Sequence, residues 1–197
     1  HYKGGKDLLS IYYHNNPKAK LFSGKHLILG GNTSVNKLNE NSYFGDLSAI
    51  IVKNLPFWAE IRRTPKKQIT LMDNWDEKIE KMALASLKQD VKIIAGVPSW
   101  MLVLLHKIVE VSGDKSLNEI WPNLELYMHG GVNFEPYKNQ FSSLMHKLPV
   151  NYYQTYNASE GFFSLQNENK ADDMLLMLDY GIFYEFIPME NYNGTES

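Results

Sequence analysis

From residue 91 onward, apolar positions gather into short unbroken blocks set between longer stretches with helical spacing. "VKIIAGV" is a continuous apolar run of strand length, the pattern of a strand covered on both faces, and "LELYMHGG" and "VNYYQTYN" read as two further strands. "PSWMLVLLHKIVEV" and "PYKNQFSSLMHKL" lie between them and predict helices opened by Pro98 and Pro136, the first closed by Gly113. Strand, helix, strand, helix, strand predicts parallel βαβ units. The apolar blocks "GFFSLQ", "DMLLMLDY" and "IFYEFIPM" then follow with connections too short for crossover helices, so an antiparallel extension is expected there.

The first ninety residues are less regular. "KDLLSIYYHNNP" reads as a helix end stopped by Pro17, and "KHLILGG" as a buried strand punctuated by glycines. "FGDLSAIIVKNLPFWAEI" has helical spacing broken in two by Pro56. In "NWDEKIEKMALASLKQ", Asn74 is a candidate cap with Glu77 in the reciprocal position, and Trp75, Ile79 and Met82 share one face. The fold class expected is α/β: a mainly parallel sheet of βαβ units flanked by helices, with an antiparallel extension at the C-terminal end.

Composition narrows this picture. At 197 residues with 44% hydrophobic and 21% charged side chains, the chain can bury a full core, and one domain over 1–197 is expected. A net formal charge of −2 gives no general attraction to phosphate backbones, so no nucleic-acid partner is expected. Cysteine is absent, which removes disulfides and thiolate metal sites and fits a reducing, cytoplasmic setting. Three N-x-S/T triplets, at Asn32, Asn157 and Asn193, carry no information without a secretory context. The most apolar run is too short and too charged to span a bilayer, and no membrane partner is expected.

Parallel α/β sheets bind ligands beyond the carboxyl ends of their strands, where "GVPS", "HGGV" and "YNASEG" would sit. Gly130 and Gly131 end a strand before a helix, which suits either a ligand-facing backbone or a plain tight turn. Tyr156 offers an aromatic plane, Ser159 a hydroxyl and Glu160 a hard oxygen ligand for Mg²⁺, a set that suits a nucleotide. A solvated polar turn explains the same residues equally well. Trp100 and Met101, with Val97, open a helix that packs on the sheet or lines an apolar substrate pocket. Ser99 and Ser159 lack the G-x-S-x-G elbow, and no histidine pair has metal-ligand spacing, so serine and zinc hydrolase chemistry is not expected.

Taken together, "YMHGGVNFEPYKNQF", "YYQTYNASEGFFSLQ" and "DMLLMLDYGIFYEFIP" resemble the auxin-responsive promoter (Gretchen Hagen) family of acyl acid–amido synthetases. That family is similar in turn to the adenylate-forming superfamily of acyl-CoA synthetases and luciferases. The resemblance implies ATP and Mg²⁺ as cofactors, and a carboxylic acid and an amine, typically an amino acid, as partners. It places Tyr156 against adenine, Ser159 near the α-phosphate and Glu160 on the metal. Gly130, Gly131 and Val132 would form the wall beside adenine and substrate, with Asn157 and Ala158 completing the nucleotide contact. The family's Ser/Thr/Gly-rich phosphate loop is not found, since "GGNTSVNK" at 30–37 lacks its pattern. The ribose-binding aspartate motif and the C-terminal lid are missing too. The chain is therefore expected to be an internal segment of a larger adenylation domain, weak in ATP binding and inactive alone. A non-catalytic domain that kept the fold, or acyl-CoA ligase chemistry, are the alternatives.

Overall fold

The computed structural model describes residues 1–31, 35–40 and 42–192. The triplets at Asn32 and Asn193, and part of the 30–37 loop, lie outside the described residues; Asn157 lies in a strand.

The elements in chain order begin with α1 (Tyr2–Asn15), β1 (Lys25–Leu29), β2 (Val35–Asn39) and β3 (Ser42–Gly45). They continue with α2 (Leu47–Lys53), α3 (Phe57–Glu60), β4 (Arg63–Thr64), α4 (Lys67–Thr70), α5 (Trp75–Ser86) and β5 (Val91–Gly96). Then come α6 (Pro98–Val111), α7 (Leu117–Ile120), β6 (Leu126–Gly130), α8 (Lys138–Leu144), β7 (Asn151–Ala158), β8 (Gly161–Leu165) and β9 (Leu175–Leu176).

Seven strands form one sheet in the order β4-β1-β5-β6-β7-β8-β9. The first five are mutually parallel, and β8 and β9 add antiparallel. The expected α/β class with its antiparallel C-terminal extension is thus observed. Since β4 lies on one side of β1 and β5 on the other, the winding direction reverses at β1, and a crevice opens there at the strand ends.

β5 and β6 are covered on both faces, which is why their sequences are mostly apolar. One face packs Ile94 and Tyr127 against Met82, Met101, Leu105 and Phe141 of the helices. The other packs Ile93, Leu126 and Tyr153 against Leu8 and Tyr12 of α1. Trp121 is fully buried and its indole N–H donates to the Ser86 carbonyl at 3.1 Å, so its one polar atom is satisfied.

Four details differ from the sequence expectation. Glu77 does not close a capping box: Asn74 Oδ1 accepts from the Glu77 N–H at 3.0 Å, but the Glu77 carboxylate turns to Lys81 at 2.6 Å. Pro136 opens a single 3₁₀ turn, Glu135–Tyr137, and α8 starts only at Lys138. "IFYEFIPM" is not a strand; residues 182–188 are irregular, since no described strand lies beside β9 to pair with them. The β2–β3 hairpin and the two-residue edge strand β4 were not anticipated. Among the described residues, no helix is long and apolar enough to cross a membrane.

Candidate functional site

A cavity of about 500 Å³ opens over the carboxyl ends of β1, β5, β6 and β7. One wall is the backbone of Gly130 and Gly131 with Asn157, Ala158 and Ser159 from the end of β7. Apolar side chains line it too: Val97 and Trp100 from the start of α6, Leu47 and Ile51 from α2, and Leu8 from α1.

The Gly-Gly turn is shaped by contact on both sides. A Cβ on Gly130 would fall 2.3 Å from the Thr155 carbonyl oxygen of the paired strand, so the β6 and β7 backbones approach there as only glycine permits. Gly131 has φ +82°, a left-handed conformation that turns the chain out of the sheet. Thr155 fastens the same place by donating its hydroxyl to the His129 carbonyl at 3.3 Å.

The Ala158–Gly161 corner is a β-hairpin tip joining β7 to β8. A bulge beside it offsets the register: Tyr156 pairs with Ser164 but Asn157 pairs with Phe162, leaving Phe163 as the extra residue. The Tyr156 and Phe163 rings meet at 5.1 Å between centroids, while Tyr156 remains 54% exposed and available on its other side. Ser159 and Glu160 are both exposed in the turn.

The structure therefore brings Gly130, Gly131, Asn157, Ala158, Ser159, Val97 and Trp100 to one cavity. Tyr156, Glu160 and Val132 lie outside its lining, on the exposed rim side of the same loops. Met101 is not in the lining either: one residue on from Trp100 it has rotated onto the sheet side of α6 and is fully buried in the core.

Sequence reasoning missed three contributors. Asp46 and Ser48 reach the cavity from the start of α2, where Asp46 caps the helix by accepting from the Ser48 N–H at 2.8 Å. Their D-x-S spacing before a helix was the available signal. Lys78 is buried inside α5, with Nζ donating to the carbonyls of Gly30 and Gly31 at 3.1 Å each. Burial pushes its pKa below the ordinary lysine value, partly offset by Asp46 and Asp73. That ammonium pins the turn leaving β1, and Gly31 lies against the Trp100 ring, where a Cβ would come within 2.7 Å. Nothing local in the sequence announces this long-range bond.

His129 precedes the glycines and is 4% exposed, stacked on Phe134 at 4.2 Å, with Nδ1 unpartnered. Burial lowers its pKa to about 4, so the imidazole is neutral at neutral pH.

No cluster of three or more His, Cys, Asp or Glu side chains able to hold a metal occurs among the described residues. Glu160 thus belongs to no such cluster. That fits Mg²⁺ held mainly by the phosphates of a nucleotide, as the ion usually is, and does not fit a metal caged by protein alone.

No curated protein matches the chain significantly. The model of the GH3 family N-terminal domain matches residues 1–150, which covers the sheet through β6 and stops just before β7. With most of its length in that match, the chain belongs to the GH3 family, the auxin-responsive Gretchen Hagen 3 group, whose members are adenylate-forming acid–amido ligases.

Proposed function

We propose that the chain carries the core of an ATP-dependent ligase that joins a carboxylic acid to an amine. The observation behind this reading is that the Gly130–Gly131 turn and residues Asn157–Ser159 share one cavity with an apolar wall, in a chain of this family. A carboxylate oxygen attacks the α-phosphorus of ATP, the bond to pyrophosphate breaks, and an acyl-adenylate forms. An amine nitrogen then attacks the acyl carbon, the bond to AMP breaks, a proton leaves the nitrogen, and the amide is released.

In this reading the chain's own residues bind and orient. Trp100, Val97, Leu47 and Ile51 hold the apolar part of the acid and exclude water. The Gly130–Gly131 backbone lies flat beside the nucleotide because no side chain intervenes. Ser159 donates a hydroxyl hydrogen bond at the phosphate, and Tyr156 presents its free ring face to the base. Glu160 would contribute one ligand to Mg²⁺, which when bound neutralises charge on the phosphates.

The test is acid-dependent exchange of labelled pyrophosphate into ATP, measured on this chain and, where the gene encodes more, on its full-length product. Exchange with some carboxylic acid is expected of the full-length product and not of this chain alone, falling by about 10²–10³-fold in Glu160→Ala and in Ser159→Ala. Both residues are exposed in a turn, so both variants should keep the wild-type fold. A full-length product that binds no ATP would sink the reading. So would exchange that is indifferent to both substitutions.

A further inference from the structure

A second surface, lined by other residues than the cavity, has a composition unlike the rest of the molecule. The short helix α3 exposes Phe57 at 80% and Trp58 at 37%, and Ile61 follows at 48%. Lys25, Arg63, Lys66 and Lys67 stand beside Ile61, together with the carboxylate of Glu60. The chain as a whole carries −2, so positive charge is concentrated here against an acidic remainder.

The residues form one surface. Lys25, Ile61, Arg63, Lys66 and Lys67 line a single open depression. Lys25 Nζ donates to the Ile61 carbonyl at 2.9 Å, and Lys67 Nζ donates to the Lys53 carbonyl. Those bonds to neutral carbonyls fix the lysines without cancelling their charge. Arg63 is buried and is neutralised by a two-point contact with Glu60. Trp58 is braced edge-on against Phe22, which is stacked on Tyr13, so the aromatic tip rests on a rigid base.

We propose that this face docks the protein on an anionic lipid surface, with Phe57 and Trp58 entering the interfacial layer and the basic rim meeting the headgroups. Aromatic rings favour that layer, and each nearby Lys or Arg adds attraction to anionic lipid. Charge is what selects this occupant. The other exposed apolar stretch, Phe183, Phe186, Ile187 and Met189, is interspersed with Glu185 and Glu190 and would be repelled by such a surface. A nucleic-acid surface would use the cations but would leave an exposed Phe57 at the tip without a role. The contact is peripheral and needs no spanning helix. It departs from the sequence expectation of no membrane partner, which weighed only spanning segments. It is also independent of the ligase reading.

The experiment is flotation of the chain with phosphatidylcholine vesicles, with and without phosphatidylserine, at low and high salt. Co-flotation with phosphatidylserine vesicles at low salt is expected, with loss in high salt and none on phosphatidylcholine alone. Trp58 emission should shift to the blue on binding. Neutralising one cation of the rim should weaken binding about fivefold, so Lys66→Gln with Lys67→Gln should weaken it about 25-fold. Phe57→Ser should weaken binding while leaving the salt dependence intact. Neither change touches the core, so circular dichroism should stay at wild type. Failure to float with phosphatidylserine vesicles would overturn the proposal, as would flotation unchanged in both variants. Displacement from vesicles by polyuridine that also binds the Phe57→Ser variant at full strength would assign the face to nucleic acid and overturn it too.

Discussion

Gly130→Ala tests how tightly the cavity wall is built. The new methyl would be placed 2.3 Å from the Thr155 carbonyl oxygen and 3.0 Å from its hydroxyl. Both sit on β7, which is locked to β6 by ladder pairing from Leu126 to Gly130, so neither strand can retreat alone. Relief requires the strand ends to part by most of an ångström, straining the last ladder bonds and the Thr155–His129 contact. Overpacking of this kind costs about 1–3 kcal/mol, and loss of a buried hydrogen bond adds roughly another 1 kcal/mol. A loss of about 3 kcal/mol is therefore expected. In urea that lowers the unfolding midpoint by about 1–1.5 M at unchanged slope. Two neighbouring glycines calibrate the result. Gly131→Ala has room, its nearest atom being Val97 Cγ2 at 3.4 Å, and should cost only the left-handed strain of about 1–2 kcal/mol. Gly5→Ala, in α1 with nothing within 4 Å, should stabilise by about 0.5–1 kcal/mol. If Gly130→Ala unfolds within about 0.2 M of wild type, the close approach is not what fixes this wall, and the reasoning fails.

Three further outcomes follow from the structure. Asn74→Ala removes the bond to the Glu77 N–H and should cost about 1 kcal/mol, read by urea unfolding. Because its partner Glu77 is committed to Lys81, Glu77→Ala should cost only about 0.3–0.5 kcal/mol, the worth of an exposed i,i+4 pair. His129 has a folded pKa of about 4 against about 6.5 unfolded, so between those values the unfolded chain binds more protons. Its contribution, about 3 kcal/mol, is complete above pH ~6.5 and is lost as pH falls through ~4. His26 is depressed in the same direction by burial, so His129→Leu should reduce the acid sensitivity between pH 6.5 and 4 without abolishing it. An identical pH profile for the variant would contradict the assignment.

What could be read from the sequence was whatever burial wrote into it locally. β5 and β6 were legible because strands covered on both faces have little room for polar alternation. The start of α6 at Pro98 and its end at Gly113 were legible because proline and glycine act through their own backbones. The hairpin of β2 and β3 was not, for "VNKLN" and "SYFG" carry neither clean alternation nor a turn dipeptide. The segment 182–188 shows the converse. It has β-rich composition, yet a strand also needs a neighbour, and none stands beside β9 among the described residues. Candidate site residues divide the same way. Gly130, Gly131 and Ser159 followed from the rule that ligands meet strand ends. Met101 and Trp100 were inseparable by type, because a 100° turn of helix decides which one faces the sheet. Lys78 required knowing that α5 crosses beneath the end of β1, a fact of tertiary structure alone.

Lys78 has a practical consequence of another kind. An amine sealed in α5 and held by two carbonyls is out of reach of acylating reagents, although its lowered pKa favours the nucleophilic free base. Exposed lysines such as Lys66 are modified on contact, whereas Lys78 can react only when the turn after β1 lifts away. The slow appearance of acyl label at this one position, followed by peptide mass, is thus a built-in clock for the opening of the cavity wall. A ligand that seats against Gly31 and Trp100 would slow that clock without touching the lysine itself.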